Sequence, residues 1–277
     1  MTLWVAAGLG IVQGLAELFP FSSLGLLVLL PHLLQIPVPT GPEYLPFLVA
    51  LHVGTVMALV ATLPEDWLRL IRGFRRWLAG QRTPEGRLAW LVIWATVPAG
   101  LVGFMLRNRL ALLFGDPLWA TRFLLLNAAF MAAVDYVRSR KPLVRTSWTQ
   151  LSVAQALKIG CFQVFALIPG LSRSGLTIGG GVLSGLDYQS AAHFSFLLAT
   201  PIILAAGLVE LPHLAHAGGA ADMLGPSLVG GAMAALTAWL SARFLLRYFR
   251  RHRFGGLVWA SALIGALGWL ALSARPH

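Results

Sequence analysis

The stretch Glu17-Leu-Phe-Pro-Phe-Ser-Ser23 interrupts an apolar region that extends from residue 1 to residue 36. It leaves a short apolar arm on either side, and neither arm has the roughly 20 residues that a helix needs to cross a bilayer. Pro20 ends or kinks the first arm, because proline lacks a backbone N–H and clashes with the preceding turn. The pattern predicts a re-entrant pair of helices with a turn that is buried in protein.

A second interruption of the same kind lies in the apolar region 151–186. There the chain reads Pro169-Gly-Leu-Ser-Arg-Ser-Gly175, again between two apolar arms that are too short to cross a bilayer. A glutamine precedes each interruption, Gln13 in the first region and Gln163 in the second. We therefore expect a second re-entrant helix pair that repeats the first.

The composition indicates that the whole chain is a membrane protein. Of its 277 residues, 57 % are hydrophobic and 11 % are charged, against about 25 % charge in an average soluble domain, and the mean hydropathy is +0.75. These values exclude a disordered chain, a collagen-like fibre and an ordinary soluble enzyme. The net charge of +11 favours contact with membrane phospholipid over nucleic acid in so apolar a chain.

Six further apolar runs are long enough to cross a hydrocarbon core of about 30 Å as helices. They lie near residues 45–63, 88–106, 118–138, 190–210, 224–242 and 255–274. The expected fold class is therefore an all-α polytopic membrane protein, with six transmembrane helices and two re-entrant helix pairs in one integral membrane domain.

Basic residues cluster in three loops between these runs, at 69–87, 138–145 and 243–253. Placing all three loops in the cytoplasm satisfies the positive-inside rule. The first re-entrant pair then lies on the outer side and the second on the inner side. Residues 1–150 and 151–277 each form a re-entrant pair plus three spans, in opposite orientations. This is an inverted-topology repeat, and such folds have their site near the bilayer midplane, where the broken helices meet.

Glu17 is the first costly group, because it lies in the middle of an apolar region. A carboxylate at membrane depth is functional or paired by default. Gln13 stands one helical turn earlier and shares its face. Ser22 and Ser23 follow at the break, where the first backbone N–H groups of the next arm lack helical partners. The alternative is a buried glutamate that only hydrogen-bonds a neighbouring helix.

Arg173 is the second costly group, and hydroxyl residues and glycines surround it. Gly170 lets the backbone approach a ligand closely. Hydroxyls and free N–H groups at a helix start can form a cradle for an anion, and arginine adds a planar fork that fits phosphate oxygens. The hydroxyls are those of Ser172, Ser174 and Thr177. The alternative, a structural ion pair with Glu17, would require neither these hydroxyls nor the glycines.

The two clusters together suit a phosphate or diphosphate head group whose apolar tail stays in lipid. The first cluster supplies a carboxylate, an amide and two serines, and the second supplies a guanidinium, hydroxyls and backbone donors. We also expect a divalent cation, Mg²⁺ or Ca²⁺, between Glu17 and the phosphate oxygens, because hard cations take carboxylate and phosphate ligands.

These residues resemble the bacterial undecaprenyl-diphosphate phosphatase family of the bacitracin-resistance type. Gln13 and Glu17 match its Glu/Gln-x-x-x-Glu element, and residues 169–177 match its Pro-Gly-x-Ser-Arg-Ser-x-x-Thr element. The stretch Phe194-Ser-Phe-Leu-Leu-Ala-Thr-Pro201 is also similar to that family. The resemblance covers nearly the whole chain in length and in the order of its spans.

The resemblance implies an enzyme of the bacterial plasma membrane that removes the terminal phosphate of undecaprenyl diphosphate at the outer face. This reaction recycles the lipid carrier for cell-wall synthesis and underlies bacitracin resistance. By position, Glu17 falls in the acidic motif, Ser23 at the nucleophile or phosphate-contact position, and Arg173 at the phosphate clamp. We expect these three residues to be catalytic. The expected substrate-binding residues are Gln13, Ser22, Gly170, Ser172, Ser174 and Thr177.

The sequence departs from the family pattern at Leu26, where the family continues Ser-Ser-x-Gly-His. In the family this histidine is regarded as important for catalysis, and leucine can neither carry a proton nor attack phosphorus. Glu17 then performs the acid–base chemistry alone, another residue such as His52 or His32 substitutes, or the chain hydrolyses poorly.

The alternative function is a lipid-phosphate transporter or flippase of the same fold, because inverted repeats with broken helices are typical of transporters. In either case the expected partners are a polyprenyl diphosphate lipid, membrane lipids and a second copy of the chain in a homodimer. Nucleic acid is not an expected partner, since the ten tryptophans fit the aromatic belts of a membrane protein.

Overall fold

The chain folds almost entirely into helices. The computed structural model describes residues 1–38, 44–113, 117–140, 146–216 and 220–274, and the side chains of 107–113, 210–216 and 220–222 lie outside this description. Within these ranges there are eleven α-helices, a 3-10 turn at Trp148–Gln150 and no β-strand. The helices are α1 (Leu3–Leu18), α2 (Ser23–Leu34), α3 (Leu45–Thr62), α4 (Pro64–Leu78), α5 (Pro84–Leu113), α6 (Pro117–Ser139), α7 (Val153–Phe165), α8 (Arg173–Leu183), α9 (Tyr188–His216), α10 (Ala220–Tyr248) and α11 (Gly255–Ser273). The predicted all-α class is confirmed.

Six helices are long and apolar enough to cross a membrane, namely α3, α5, α6, α9, α10 and α11. They confirm the six predicted spans. The apolar part of α10 continues to Tyr248, beyond the predicted end at residue 242. Basic residues extend this helix into the interface without ending it, and the Arg243 guanidinium lies 4.6 Å from the centre of the Trp239 ring. Residues 141–145 of the second basic loop lie outside the described residues.

Five of the described helices are too short to cross a bilayer, and four of them, α1, α2, α7 and α8, form the two interrupted regions. The longest, α1, has 16 residues. At about 1.5 Å per residue it spans roughly 24 Å, less than a hydrocarbon core of about 30 Å. The breaks are residues 19–22, between α1 and α2, and residues 166–172, between α7 and α8. The first predicted break, residues 17–23, contains the observed turn, although Glu17 still belongs to α1. The second, residues 169–175, overlaps the observed turn only at 169–172, because α7 already ends at Phe165 and Arg173 begins α8.

Local backbone chemistry explains where the breaks lie. Phe19 has an extended backbone (φ −66°, ψ 147°), because the residue before a proline is disfavoured in the helical region. Pro20 therefore ends α1 at Leu18, two residues before its own position. Ser172 begins α8 as its N-cap, since its side chain accepts a hydrogen bond from the Gly175 N–H.

The helix α4 lies between two spans and is amphipathic. Leu70 and Gly73 are buried, whereas Leu68 and Ile71 are exposed. Arginines occupy the remaining face and the last turn, at Arg69, Arg72, Arg75 and Arg76. This pattern is typical of a helix at a membrane interface. Its first turn contacts α9, because Asp66 Oδ2 lies 2.9 Å from His193 Nε2.

Two short helices pack closely against two spans through glycine. The helix α1 packs mainly on α10, and α7 packs mainly on α5. A Cβ atom at Gly10 would come within 2.3 Å of Gly230 O, and one at Gly160 within 2.2 Å of Ala95 O. In both pairs the backbones therefore touch where the glycine lies. These contacts hold α1 and α7 inside the bundle, so that the breaks that follow them are fixed in position.

Candidate active site

The Glu17 carboxylate collects the polar side chains of the first break. Glu17 lies in the last turn of α1 and is buried, with 8 % of its surface exposed. Its Oε2 accepts a hydrogen bond from Ser23 Oγ at 2.5 Å and one from Gln13 Nε2 at 2.9 Å. Gln13 reaches it from one turn earlier on the same face. Ser23 reaches it because the chain reverses around Pro20 before α2 begins.

Arg173 joins this cluster from the second break. It is the first residue of α8, and its Nη2 lies 2.5 Å from Glu17 Oε1. The same nitrogen lies 3.5 Å from the Glu17 backbone oxygen. Both side chains are largely buried, with 13 % of Arg173 and 7 % of Glu17 exposed. The two costly groups singled out in the sequence therefore contact each other, and neither remains an uncompensated charge.

Two polar atoms of the cluster have no hydrogen-bond partner among the described residues. They are Arg173 Nη1 and Gln13 Oε1, and both are buried. A buried donor without a partner is costly, and few remain so in native proteins. The arginine can therefore keep Glu17 on Nη2 while Nη1 is available to an anionic ligand.

Ser22 connects the two breaks through the backbone. Its Oγ accepts hydrogen bonds from the N–H of Gly25 at 3.3 Å and from the N–H of Gly170 at 3.1 Å. Ser22 has a positive φ of 57° and Gly170 one of 96°. A Cβ atom at Gly170 would come within 2.5 Å of Ala120 O, so only glycine fits there. Both predicted substrate-binding residues thus lie beside the cluster and shape the turns.

The three hydroxyls predicted to form an anion cradle are buried and have protein partners. Ser172 Oγ lies 3.2 Å from the Gly175 N and 3.0 Å from Ser174 Oγ. Ser174 Oγ donates to Phe19 O at 3.0 Å, across to the first break. Thr177 Oγ1 donates to Arg173 O at 2.7 Å. These hydroxyls hold the start of α8 against the end of α1, which positions the guanidinium.

The site also contains a histidine from outside both breaks. Leu26, in place of the family histidine, is buried on α2. His52 on α3 lies with its Nε2 at 3.9 Å from Glu17 Oε2, while its Nδ1 is 2.8 Å from Leu48 O. His32, the other candidate substitute, is exposed in the last turn of α2. Of the two candidates, the structure brings His52 to the carboxylate.

Asn127 is a residue of the site region that the sequence analysis missed. It is fully buried on α6, and its Nδ2 donates to Pro20 O at 2.8 Å and to Ser261 Oγ at 3.2 Å. Its Oδ1 accepts from the Ser172 N–H at 3.1 Å. One side chain thus joins both breaks to α11. The available signal was a side-chain amide in the middle of a transmembrane span, where hydrogen-bonding groups need partners.

The described part of the chain contains no group of three or more His, Cys, Asp or Glu side chains that could hold a metal ion. Glu17 is the carboxylate at the centre of the site, and its oxygens already have Arg173, Gln13 and Ser23 as partners. A cation at this carboxylate would have to displace one of them and take most of its ligands from a phosphate.

Comparisons with known proteins place this geometry in context. Residues 6–267 match the sequence profile of a family described as bacitracin resistance protein BacA. Undecaprenyl-diphosphatase 2 of Burkholderia thailandensis is 45 % identical and undecaprenyl-diphosphatase 1 of Burkholderia pseudomallei is 44 % identical, each over 280 residues and 100 % of both chains. Undecaprenyl-diphosphatase 2 of Chromobacterium violaceum is 44 % identical over 264 residues, 94 % of this chain and 95 % of that protein. The similarity extends over both interrupted regions and all six spans.

Proposed function

Because this chain belongs to the family of the bacitracin resistance protein BacA, we propose that it is an undecaprenyl-diphosphate phosphatase. It hydrolyses undecaprenyl diphosphate to undecaprenyl phosphate and inorganic phosphate. The relatives that are 44–45 % identical carry the name of this activity. The reaction returns the lipid carrier to cell-wall synthesis, and it accounts for bacitracin resistance.

The single observation that carries this function is the Glu17–Arg173 contact with Arg173 Nη1 left without a partner. In our proposal Nη1 binds an oxygen of the terminal phosphate while Nη2 stays on the carboxylate. Guanidinium binds phosphate strongly because its donors are fixed in one plane and carry charge. The apolar surroundings strengthen this attraction, since little water screens it.

Ser23 is the proposed nucleophile and Glu17 its base. The Ser23 hydroxyl already donates to Glu17 Oε2 at 2.5 Å, within the reach that a general base requires. As the Oγ–P bond forms, the serine proton moves to the carboxylate and the bond to the lipid phosphate breaks, with its electron pair leaving on that phosphate. Arg173 stabilises the charge that develops on the terminal phosphoryl oxygens. Water then cleaves the phosphoserine and releases inorganic phosphate.

The remaining predicted site residues position the groups that contact the phosphate. Gln13 orients Glu17, and its Oε1 is available to a phosphate hydroxyl. The other predicted substrate-binding residues support the site indirectly in this proposal, because they fix the two turns against each other. They are Ser22, Gly170, Ser172, Ser174 and Thr177. Their hydroxyls complete the backbone bonds that a helix end inside a membrane requires.

We propose that residues 1–150 and 151–277 form two inverted repeats, each with a re-entrant pair and three spans. Support comes from features that recur 150 positions apart. Gly10 and Gly160 each contact the backbone of a span. Ser22 and Ser172 each cap a helix by accepting from the N–H three residues later, that of Gly25 or Gly175. Such recurrence is expected when two halves share one fold.

Positive charge supports an outward-facing site in the bacterial plasma membrane. The basic residues of α4 and of the loop after α10 lie in the cytoplasm if the positive-inside rule holds. The break between α1 and α2 then enters from the outer leaflet. The diphosphate head therefore reaches the site from outside, while its polyprenyl tail stays among membrane lipids.

A divalent cation and a homodimer both stay predictions. Since the Glu17 oxygens already have partners, we propose that Mg²⁺ or Ca²⁺ arrives with the diphosphate and is not held by the protein alone.

The exposed apolar side chains of the spans face lipid in a monomer, and a second copy would cover some of them. The mass of the purified protein in detergent, measured by light scattering, tests the dimer.

The proposed function is tested by phosphate release from a short-chain polyprenyl diphosphate. The purified full-length protein should release inorganic phosphate, and Arg173→Ala should release on the order of 10²-fold less, because a positioned charge on the phosphoryl group is lost. Equal release by the two proteins would exclude hydrolysis at this site. Movement of the lipid head group across liposomes without release would instead favour the transporter, the function that Leu26 leaves open.

A further inference from the structure

The imidazole of His52 faces the reacting cluster with a fixed orientation. Its Nε2 lies 3.9 Å from Glu17 Oε2, and its Nδ1 lies 2.8 Å from Leu48 O, one turn earlier on α3. A carbonyl oxygen can only accept a hydrogen bond, so Nδ1 must carry the hydrogen. The other nitrogen therefore turns its lone pair toward the carboxylate when the ring is neutral.

Glu17 is well placed to take a proton but poorly suited to keep it. Its Oε2 is the acceptor of the Ser23 hydroxyl, so the serine proton reaches this atom first. Protonation of Glu17 would exchange the charge-assisted hydrogen bond between Oε1 and Arg173 Nη2 for a weaker one to a neutral carboxyl group. A second acceptor beside Oε2 removes this difficulty, because it restores the carboxylate.

We propose that His52 is this second acceptor, and that its Nε2 takes from Glu17 the proton released by the nucleophile. The inference rests on the proposed hydrolase function. As Ser23 Oγ bonds to phosphorus, its proton passes to Glu17 and on to His52, and the imidazolium is then held by the carboxylate. When water cleaves the phosphoserine, the Oγ–P bond breaks and the serine oxygen regains that proton through Glu17. The hydroxyl and the remaining proton of the water leave with inorganic phosphate.

The position of His52 also explains how a site with Leu26 can carry out proton transfer. The α2 side chain at that position is aliphatic and buried, so α2 supplies no proton acceptor there. The imidazole comes instead from α3, which packs beside α1 and α10. About a quarter of the His52 side chain is exposed, so a small molecule can reach it.

The test compares His52→Gln and His52→Ala with the control His32→Gln, all in the full-length purified protein. Phosphate release from a short-chain polyprenyl diphosphate is measured in detergent micelles. We expect His52→Gln to lower kcat on the order of 10²-fold, as loss of a proton-transfer group does. KM should stay nearly constant, because His52 handles a proton and does not hold the head group. The exposed control should keep wild-type kcat.

Added imidazole distinguishes proton transfer by His52 from a role in packing, because it can replace a lost proton acceptor but not a lost packing contact. It should restore part of the activity lost in His52→Ala and none of that lost in His52→Gln, whose side chain fills the space. Glutamine also keeps an amide donor for Leu48 O, and an unchanged unfolding temperature verifies that this variant is folded.

The outcomes separate the inference from the function on which it rests. If the wild-type protein releases no phosphate, the proposed function fails and the inference fails with it. If the wild-type protein is active and His52→Gln keeps its kcat, only the inference is overturned. A folded His52→Ala variant that imidazole does not reactivate would overturn it as well.

Discussion

Ser22 and Ser23 are adjacent, yet their hydroxyls have different partners. Ser23 Oγ donates to a carboxylate, whereas Ser22 Oγ accepts from two backbone N–H groups, one in each break. The difference follows from the backbone, because Ser22 has a left-handed φ of 57° and turns its side chain away from that of its neighbour. The Ser23 hydroxyl can therefore take part in the reaction, whereas the Ser22 hydroxyl holds the two breaks together.

Replacing these serines one at a time should separate the two roles. Ser23→Ala should lower phosphate release on the order of 10³-fold or more, as loss of a nucleophile does, with little change in unfolding temperature. Ser22→Ala should lower the free energy of unfolding by about 1–2 kcal/mol, because a helix cap and a link between the breaks are lost. Phosphate assays and thermal unfolding in detergent measure both. A Ser23→Ala variant as active as Ser22→Ala would contradict the assignment.

Glu17 and Arg173 could be predicted at the residue scale, and their neighbours only in part. A charge at membrane depth is costly wherever it lies, so the sequence alone marks both residues and suggests that they pair. Asn127 was not predicted, because burying an amide inside a span costs less free energy than burying a charge and so marks a site less clearly. The hydroxyls of Ser172 and Ser174 were predicted as ligands of substrate, and that role stays a prediction. Their hydrogen bonds to backbone groups at the break could not be foreseen, because they depend on how the two breaks pack together.

At the scale of the helices, the close contact of α1 with α10 resembles that of α7 with α5. Each depends on one glycine at which a side chain would meet a carbonyl oxygen of the partner helix. Small residues let transmembrane helices approach closely, and this packing replaces the hydrophobic effect that lipid does not provide. Close packing of this kind therefore holds the short helices α1 and α7 in the bundle.

Alanine at these glycines should destabilise the bundle. Gly10→Ala and Gly160→Ala should each lower the free energy of unfolding by about 1–3 kcal/mol, since the added methyl group overlaps a backbone oxygen and the helices must separate. Gly8→Ala is the matched control on α1, where nothing lies within 4 Å of a Cβ atom, and it should be neutral or slightly stabilising. Thermal unfolding in one detergent compares the three. Equal effects at positions 8 and 10 would mean that the contact is not tight.

The helices were predictable to different degrees. The spans follow from length and hydropathy, which are local properties, so all six were found. The end of α1 and the start of α8 were each predicted a few residues away from their observed positions. Both depend on local detail, namely the side chain that caps the helix and the backbone conformation before Pro20. The length of a re-entrant arm carries no such signal, since a short apolar helix can also be a buried core element.

At the scale of the whole molecule, the proposed topology puts the end of α2 outside and the α4–α5 connection inside. Cys161 is the single cysteine of the chain, and it is exposed. A Cys161→Ser background therefore permits labelling at one chosen site. Pro37 and Gln81 are exposed residues on the two sides and serve as such sites.

A membrane-impermeant maleimide should distinguish the two positions in intact cells. Pro37→Cys should react before the membrane is opened and Gln81→Cys only afterwards, because the positive-inside rule places the arginines around Gln81 in the cytoplasm. Labelling is read as a mass shift of the purified chain. The reverse order would invert the topology and place the site on the cytoplasmic side.

The distance along the chain between Glu17 and Arg173 has a consequence for biosynthesis. The carboxylate leaves the ribosome 156 residues ahead of the guanidinium that neutralises it. The helix α10, against which α1 packs, is translated later still. Until then the N-terminal hairpin has neither its counter-ion nor its groove, and insertion of an unpaired carboxylate into hydrocarbon is opposed. The contacts that hold α1 and neutralise Glu17 can therefore form only after Arg173 and α10 have been synthesised.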